Sequence, residues 1–187
     1  SQYNKYKNPF ISFDMSASEV VSGALCCLKS LLNSDIGKTT LTLFSEAVPF
    51  IASLIQGNVG NQMENSIEVL NEFLFCDKSD SKNTVLKIKK AIKTIEDLKI
   101  NGWKLISQEL KKKSNSNLEK CTLELINNMM SSLVENPKIR IYLIIDLCSN
   151  GYVEFLSSLD EKDVLISAIM NNLKENNNVL ESLFSTN

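Results

Sequence analysis

The stretch LEKCTLELINNMMSSLV, residues 118–134, is apolar on two faces of the helix that its periodicity predicts. One stripe consists of Leu118, Cys121, Leu125, Met129 and Ser132, and the other consists of Leu123, Ile126, Met130, Leu133 and Val134. A helix with two apolar stripes needs a neighbour on each side. The stretch therefore predicts either a doubly packed core helix within a helical stack or a helix that lies beneath a bound peptide.

The rest of the chain repeats the helical period, and no segment alternates apolar and polar residues for long enough to predict a strand. Glycine, asparagine and serine separate the periodic segments, as is typical of turns between helices. The predicted helices cover 16–33, 35–44, 46–56, 61–76, 85–100, 103–113, 118–134, 137–149, 152–159 and 162–173. We therefore predict an all-α fold.

Groups of these helices recur about every 40 residues, which is the spacing of armadillo and HEAT arrays. The rhythm favours an armadillo/HEAT-like helical-repeat superhelix, and a compact irregular bundle is the alternative architecture. We assign 15–159 to the repeat domain, 1–14 to a lead-in without a clear period, and 160–187 to a C-terminal helical extension.

The composition argues against several functional classes. Of the 187 residues, 43% are hydrophobic and 22% are charged, which is typical of a globular domain with a real core. The formal net charge of -2 provides no overall field that would attract nucleic acid. The chain has no histidine, and so it lacks the commonest general base and zinc ligand. We therefore expect no enzyme, no cofactor and no metal site.

The five cysteines indicate the cellular compartment in which the protein resides. They are odd in number, have no Cys-x-x-Cys spacing and lie within the predicted helices. We interpret them as reduced core residues of a cytoplasmic protein. The chain also shows no signal-peptide architecture and no apolar run that could span a bilayer, which favours the same compartment.

Two local features have competing interpretations. The GKTT at 37–40 resembles the end of a phosphate-binding loop, but Leu32 stands where that motif needs glycine and a helix precedes it, so we interpret it as a helix start. Half of the 20 lysines and arginines lie in 82–113. This basic segment could face an acidic partner or anionic lipid, although we favour the solvated side of amphipathic helices, with Trp103 as a core anchor.

Several segments carry a resemblance to a known family. CLKSLLNS at 27–34, followed by the IG at 36–37, looks like that family's CLKALMN…G helix end. LELINNMM at 123–130 is similar to its LQLINALI helix, and 140–156 contains its R…G…L pattern. On these motifs, in consistent order over 15–159, the chain resembles the armadillo-type FH3 region of Diaphanous-related formins, which adjoins and completes the Rho GTPase-binding domain.

The resemblance implies a regulatory module. In that family, an amphipathic helix from the formin's C-terminal tail docks on the armadillo surface and prevents actin assembly, and an active Rho-family GTPase displaces it. By motif matching, Lys29 and Asn33 would contact the GTPase, and Leu123, Ile126, Asn127 and Met130 would contact the tail helix.

Further expectations follow from the same resemblance. It implies a cytoplasmic protein at the cytoskeleton or cell cortex that affects actin only indirectly. Residues 1–14 would be a remnant of the GTPase-binding subdomain, whereas the basic segment 82–113 departs from the acidic middle helices of the family. Homodimerisation and membrane contact stay open. An armadillo adaptor of the ELMO type, which binds a different helical partner, is the alternative.

Overall fold

The computed structural model describes residues 17–56, 61–77, 80–112, 115–159, 167–169 and 171. These residues form helices and turns and contain no strand, so the all-α prediction is confirmed. The helices are α1 (Ala17–Leu32), α2 (Asp35–Thr42), α3 (Ala47–Ser53), α4 (Gln62–Leu74), α5 (Ser81–Glu96), α6 (Gly102–Lys111), α7 (Ser116–Ser132), α8 (Pro137–Ser149) and α9 (Tyr152–Ser157), with a 3₁₀ turn at Leu54–Gln56 after α3. The predicted lead-in at 1–14 lies outside the described residues, as does most of the extension at 160–187.

Side-chain caps set the starts of several helices, because they satisfy backbone N–H groups that have no partner within the helix. The hydroxyl of Ser34 accepts a hydrogen bond from the Gly37 N–H at 3.0 Å, so Ser34 caps α2. A Cβ on Gly37 would lie 2.0 Å from the carbonyl oxygen of Leu31. Glycine at this position therefore permits close packing. Because Ser34 caps α2 and residues 37–40 lie in its first two turns, the interpretation of 37–40 as a helix start is confirmed.

Helix α4 is the centre of the fold. It packs against α1, α3, the 3₁₀ turn, α5 and α7. Its apolar residues Ile67, Leu70 and Leu74 are fully buried, as their four- and three-residue spacing predicts. Neighbours on several sides also bury polar residues of the same helix, including Gln62 and Glu64.

Helix α7 is buried on both of its predicted apolar stripes. Leu125 and Met129 from the first stripe and Ile126 and Met130 from the second are fully buried. Val134 lies beyond the end of the helix and is 54% exposed, so its assignment to the second stripe was wrong. The chain itself covers both faces, which confirms the doubly packed core helix.

An aromatic cluster holds α6 against α9. The rings of Trp103 and Tyr152 are both fully buried and meet edge to face with centroids 6.0 Å apart. Tyr152 also meets Phe155 edge to face, at 6.4 Å. Gly151 starts α9 with a φ of 83°, a left-handed conformation that glycine adopts without strain. The prediction of Trp103 as a core anchor is confirmed.

Two interpretations of residue environment need correction. All five cysteines are free, but Cys26, Cys27 and Cys148 are exposed and only Cys121 is buried. The helical period continues through positions on the solvent side, where a small apolar residue such as cysteine is tolerated. In the basic segment, Lys87 is buried near the C-terminal end of α4, and its Nζ lies 4.8 Å from the centre of the Phe73 ring. The basic segment is therefore not uniformly exposed to solvent.

Candidate interaction surface

Helices α1, α4 and α7 lie side by side, with α4 in the middle. We call their joint polar face the helix ladder. Its members are Lys29 of α1, Asn65, Glu68, Asn71 and Glu72 of α4, and Glu124, Asn127 and Asn128 of α7. All of these side chains are half-buried except Glu72, which is exposed. The ladder therefore offers hydrogen-bonding groups on a surface whose underside is the apolar core.

One lysine joins α1 to α4 across the ladder. The ammonium group of Lys29 donates to the carboxylate of Glu68 at 2.5 Å and to the amide oxygen of Asn65 at 3.1 Å. The hydrogen bond to Glu68 raises the pKa of Lys29, with further contributions from the charges of Glu72 and Glu64, against the lowering effect of burial. Lys29 therefore stays charged and links the two helices.

Amide side chains join α4 to α7. Asn128 donates to Asn71 at 3.1 Å, and Asn115, the cap of α7, donates to the carboxylate of Glu64 at 2.8 Å. Along both helices the contacts advance in the same direction, because Cys121 also approaches the Glu64 carbonyl at 4.0 Å. Helices α4 and α7 are therefore parallel. A residue of α4 lies beside the residue of α7 that is 57 positions later in the sequence.

Carboxylates dominate the electrostatics of the ladder. Glu64, Glu68 and Glu72 follow one another at four-residue spacing on α4, which places them on one helix face. Together with burial, which is the main cause, the charges of Glu68, Glu64 and Glu124 raise the pKa of the Cys121 thiol to about 12. This face therefore favours cationic or hydrogen-bond-donating partners.

A polar pocket borders the ladder where the C-terminal ends of α4 and α7 meet the start of α5. Its volume is about 310 Å³. The lining side chains are Phe75, Asp77, Ser81, Thr84, Asn128, Ser131 and Ser132. Asn128 belongs to both the pocket and the ladder, so the two form one continuous polar surface. Hydroxyl and amide groups of this kind can bind the backbone of a peptide.

The residues predicted to bind partners fall into two groups. Lys29 is half-buried in the ladder, and Asn33 is exposed one turn further along, where its backbone N–H donates to the Lys29 carbonyl. Leu123, Ile126 and Met130 are core residues that offer no surface to a partner in this conformation. Of the four positions predicted for the tail helix, only Asn127 reaches the surface. Contact with a GTPase or a tail helix stays a prediction.

Sequence reasoning missed Asn65, Glu68, Asn71 and Asn128, which make the contacts across the ladder. One signal was present, because three glutamates at four-residue spacing on a predicted helix mark one acidic face. Their partners could not be read from the sequence. Lys29 is 39 residues from Glu68, and Asn128 is 57 residues from Asn71.

Comparison with known proteins identifies no relative: no family model, no curated protein and no solved structure matches this chain. Within the described ranges, no helix combines the length and the apolar character needed to cross a membrane. In the same part of the chain, no group of histidine, cysteine, aspartate and glutamate side chains could hold a metal ion.

Proposed function

We propose that this chain is a regulatory protein-binding module of armadillo type that holds a helical peptide on the helix ladder. The observation that carries the proposal is the continuous polar face across α1, α4 and α7, which is built on buried apolar residues and bordered by a polar pocket. Half-buried amides and carboxylates on this face can form hydrogen bonds with the polar side of an amphipathic peptide.

Parallel packing of α4 and α7 supports the armadillo/HEAT-like architecture. Helices α4 and α7 are parallel at an offset of 57 residues. Two further contacts have similar offsets, because Tyr142 of α8 bonds Glu96 at the end of α5 and Asn101, the cap of α6, bonds Asp146 of α8, at 46 and 45 residues. Repeat proteins stack equivalent helices of successive units in this way, whereas neighbours in a simple up-and-down bundle alternate in direction.

The resemblance to Diaphanous-related formins specifies the partners. The peptide is the amphipathic tail helix of the same formin, and the second partner is an active Rho-family GTPase, which contacts the end of α1 at Asn33 and Lys29. Asn127 and its neighbours on the ladder touch the peptide, while Leu123, Ile126 and Met130 support that surface from below. Binding of the GTPase and of the tail are then mutually exclusive, which controls actin filament assembly.

A titration with a Rho-family GTPase tests the GTPase arm. The chain is titrated with each GTPase loaded either with GDP or with a non-hydrolysable GTP analogue. We expect at least about tenfold tighter binding of the GTP form, equivalent to about 1.4 kcal/mol. Asn33→Ala is expected to weaken binding of the GTP form. Asn117→Ala, at an exposed position of α7, is the matched control. Equal binding of both nucleotide forms, or none, would contradict the formin assignment.

A titration with a synthetic formin tail helix tests the peptide arm. Asn127→Ala and Asn128→Ala are expected to weaken binding, and Asn117→Ala is expected to leave it unchanged. Circular dichroism of each variant separates loss of contact from loss of fold. If the peptide binds and no GTPase does, the ELMO-type adaptor becomes the better assignment. If the peptide binds equally to all variants, the ladder is not its site.

A further inference from the structure

A second surface lies between α5 and α8, and we call it the α5–α8 groove. Its volume is about 410 Å³. The groove floor is apolar and consists of Ile92 from α5 with Ile139 and Tyr142 from α8. The charged lining residues are Lys89, Lys93, Glu96, Asp97 and Lys138. This groove shares no lining residue with the helix ladder, so the two surfaces are independent.

The charges of the groove are separated along its length. On α5, Lys89 and Lys93 precede Glu96 and stand at the end of the groove away from it, and Lys138 near the start of α8 also lines the groove. We call this the lysine end. Glu96 and Asp97 follow at the opposite end, which gives the groove a cationic and an anionic half.

Tyr142 is the aromatic residue of the groove floor, and it is held in place while its ring stays accessible. Tyr142 is 46% exposed, and its hydroxyl donates a hydrogen bond to the carboxylate of Glu96. That bond is the main reason why the pKa of Tyr142 rises to about 12, so the side chain stays neutral and oriented. One turn away from the ring, Ile145 is 44% exposed. The groove therefore adjoins a further exposed apolar side chain.

Other lysines of the basic segment 82–113 have different positions. The ammonium group of Lys90 donates to the Ser45 carbonyl at 3.3 Å, and Lys112 pairs with Glu109 at 2.5 Å. Lys87 is buried. The fold thus directs only part of the basic segment toward the groove and adds a lysine from α8.

We propose that the α5–α8 groove docks a short amphipathic helix of a partner protein, which inserts apolar side chains onto the groove floor and presents carboxylates to the lysine end. Charge complementarity selects this partner over a lipid surface. Anionic headgroups would meet repulsion from Glu96 and Asp97, and a membrane cannot enter a concave groove as a helix can. A helix with acidic residues toward one end only places its carboxylates at the lysine end and keeps them away from Glu96 and Asp97.

A display selection on the whole chain tests the proposal. The probe is a library of helical peptides with apolar residues at i, i+3, i+4 and i+7, and with all other positions randomised. The most enriched sequence is synthesised, labelled with fluorescein and titrated by anisotropy. We expect enrichment of aspartate and glutamate toward one end of the peptide. We also expect binding that weakens as salt rises, because surface charges are screened.

Groove variants then locate the site. The double variant Lys89→Glu/Lys93→Glu is expected to weaken binding at least about tenfold. Ile139→Asp is expected to abolish it, because the inserted apolar group would meet a carboxylate. Lys104→Glu is the matched control, since Lys104 is exposed in the same basic segment but does not line the groove. Circular dichroism verifies that each variant is folded.

Three results would overturn the proposal. One is a set of selected peptides without acidic bias, or with binding that the groove variants do not change. Another is binding to phosphatidylserine vesicles that the double variant loses, without peptide binding, since the groove would then face a membrane. The third is concentration-dependent dimerisation in ultracentrifugation that Ile139→Asp abolishes, because a second copy of the chain would then occupy the groove.

Discussion

The helix ladder and the α5–α8 groove both lie between helices that are distant in sequence, but their helices meet differently. In the ladder, α4 and α7 pack closely over a fully buried apolar layer, and side-chain amides connect their outer edges. In the groove, Glu96 at the end of α5 bonds Tyr142 of α8, Asn101 before α6 bonds Asp146 of α8, and the apolar lining includes Tyr142, which is 46% exposed. Close packing buries a shared apolar face, whereas separation leaves it for a partner.

The largest expected effect is on the buried side of the ladder. Ile126→Asp places a carboxylate at a fully buried position, so it should destabilise the chain by about 4 kcal/mol or more. Urea unfolding measures the loss. Val134→Asp is the control, since Val134 is exposed just past the same helix and should change stability by about 0.5 kcal/mol or less. A small effect of Ile126→Asp would mean that α7 is not doubly packed.

The cap of α7 should have the next largest effect. Asn115→Ala removes the acceptor for the Asn117 and Leu118 N–H groups and also the donor to the buried Glu64 carboxylate. We expect a loss of about 2 kcal/mol in urea unfolding, from the missing cap and the unpaired carboxylate. Asn117→Ala should leave the free energy of unfolding nearly unchanged, because Asn117 is exposed in the first turn of α7. Equal effects of the two substitutions would show that the contact to Glu64 does not contribute.

The ion pair across the ladder should contribute less. Lys29 and Glu68 side chains are each 35% exposed, so their pair should be worth about 0.5 kcal/mol. A double-mutant cycle with Lys29→Met and Glu68→Gln measures this coupling. Because the pKa of Lys29 is raised, the contribution is fully present below the ordinary lysine pKa and is lost as pH rises through the raised value. Coupling that persists at strongly alkaline pH would contradict the assignment.

A pH effect is expected beside the groove. Burial raises the pKa of Asp146, although hydrogen bonds from Asn101 and Asn150 oppose the shift. The stability that protonated Asp146 contributes is therefore present below the ordinary carboxyl pKa and is lost as pH rises through the raised value. Urea unfolding of wild type and Asp146→Asn near pH 4 and pH 7 tests this. Wild type should gain stability relative to the variant at the lower pH, and the opposite trend would contradict the assignment.

The smallest effect is expected on the uncovered apolar surface of α8. Ile145 is 44% exposed, so Ile145→Ser should change the free energy of unfolding by about 0.5 kcal/mol or less. Thermal unfolding, read by circular dichroism, measures this difference. A loss of about 2 kcal/mol would mean that the chain itself covers this surface, and the contrast between the ladder and the groove would then be wrong.

The helices were predictable because their apolar periods reflect burial directly. The double stripe of 118–134 became α7, and Pro137 opens α8 as predicted. The candidate sites were less predictable. A stripe such as Leu123 with Ile126 reads the same whether it faces a neighbouring helix or a bound peptide, since both remove apolar surface from water. Only the positions of neighbouring helices separate these cases.

The amino-acid sequence by itself determined the all-α class, the helix order and the two apolar faces of 118–134, because these depend on local period and on caps and turns. The tertiary structure alone decided that both faces of α7 are covered by the chain. It also brought Lys29 to Glu68 and separated the basic segment into a buried Lys87 and a groove-lining pair. Such contacts join residues far apart in sequence, and local periodicity carries no information about which distant residue meets which.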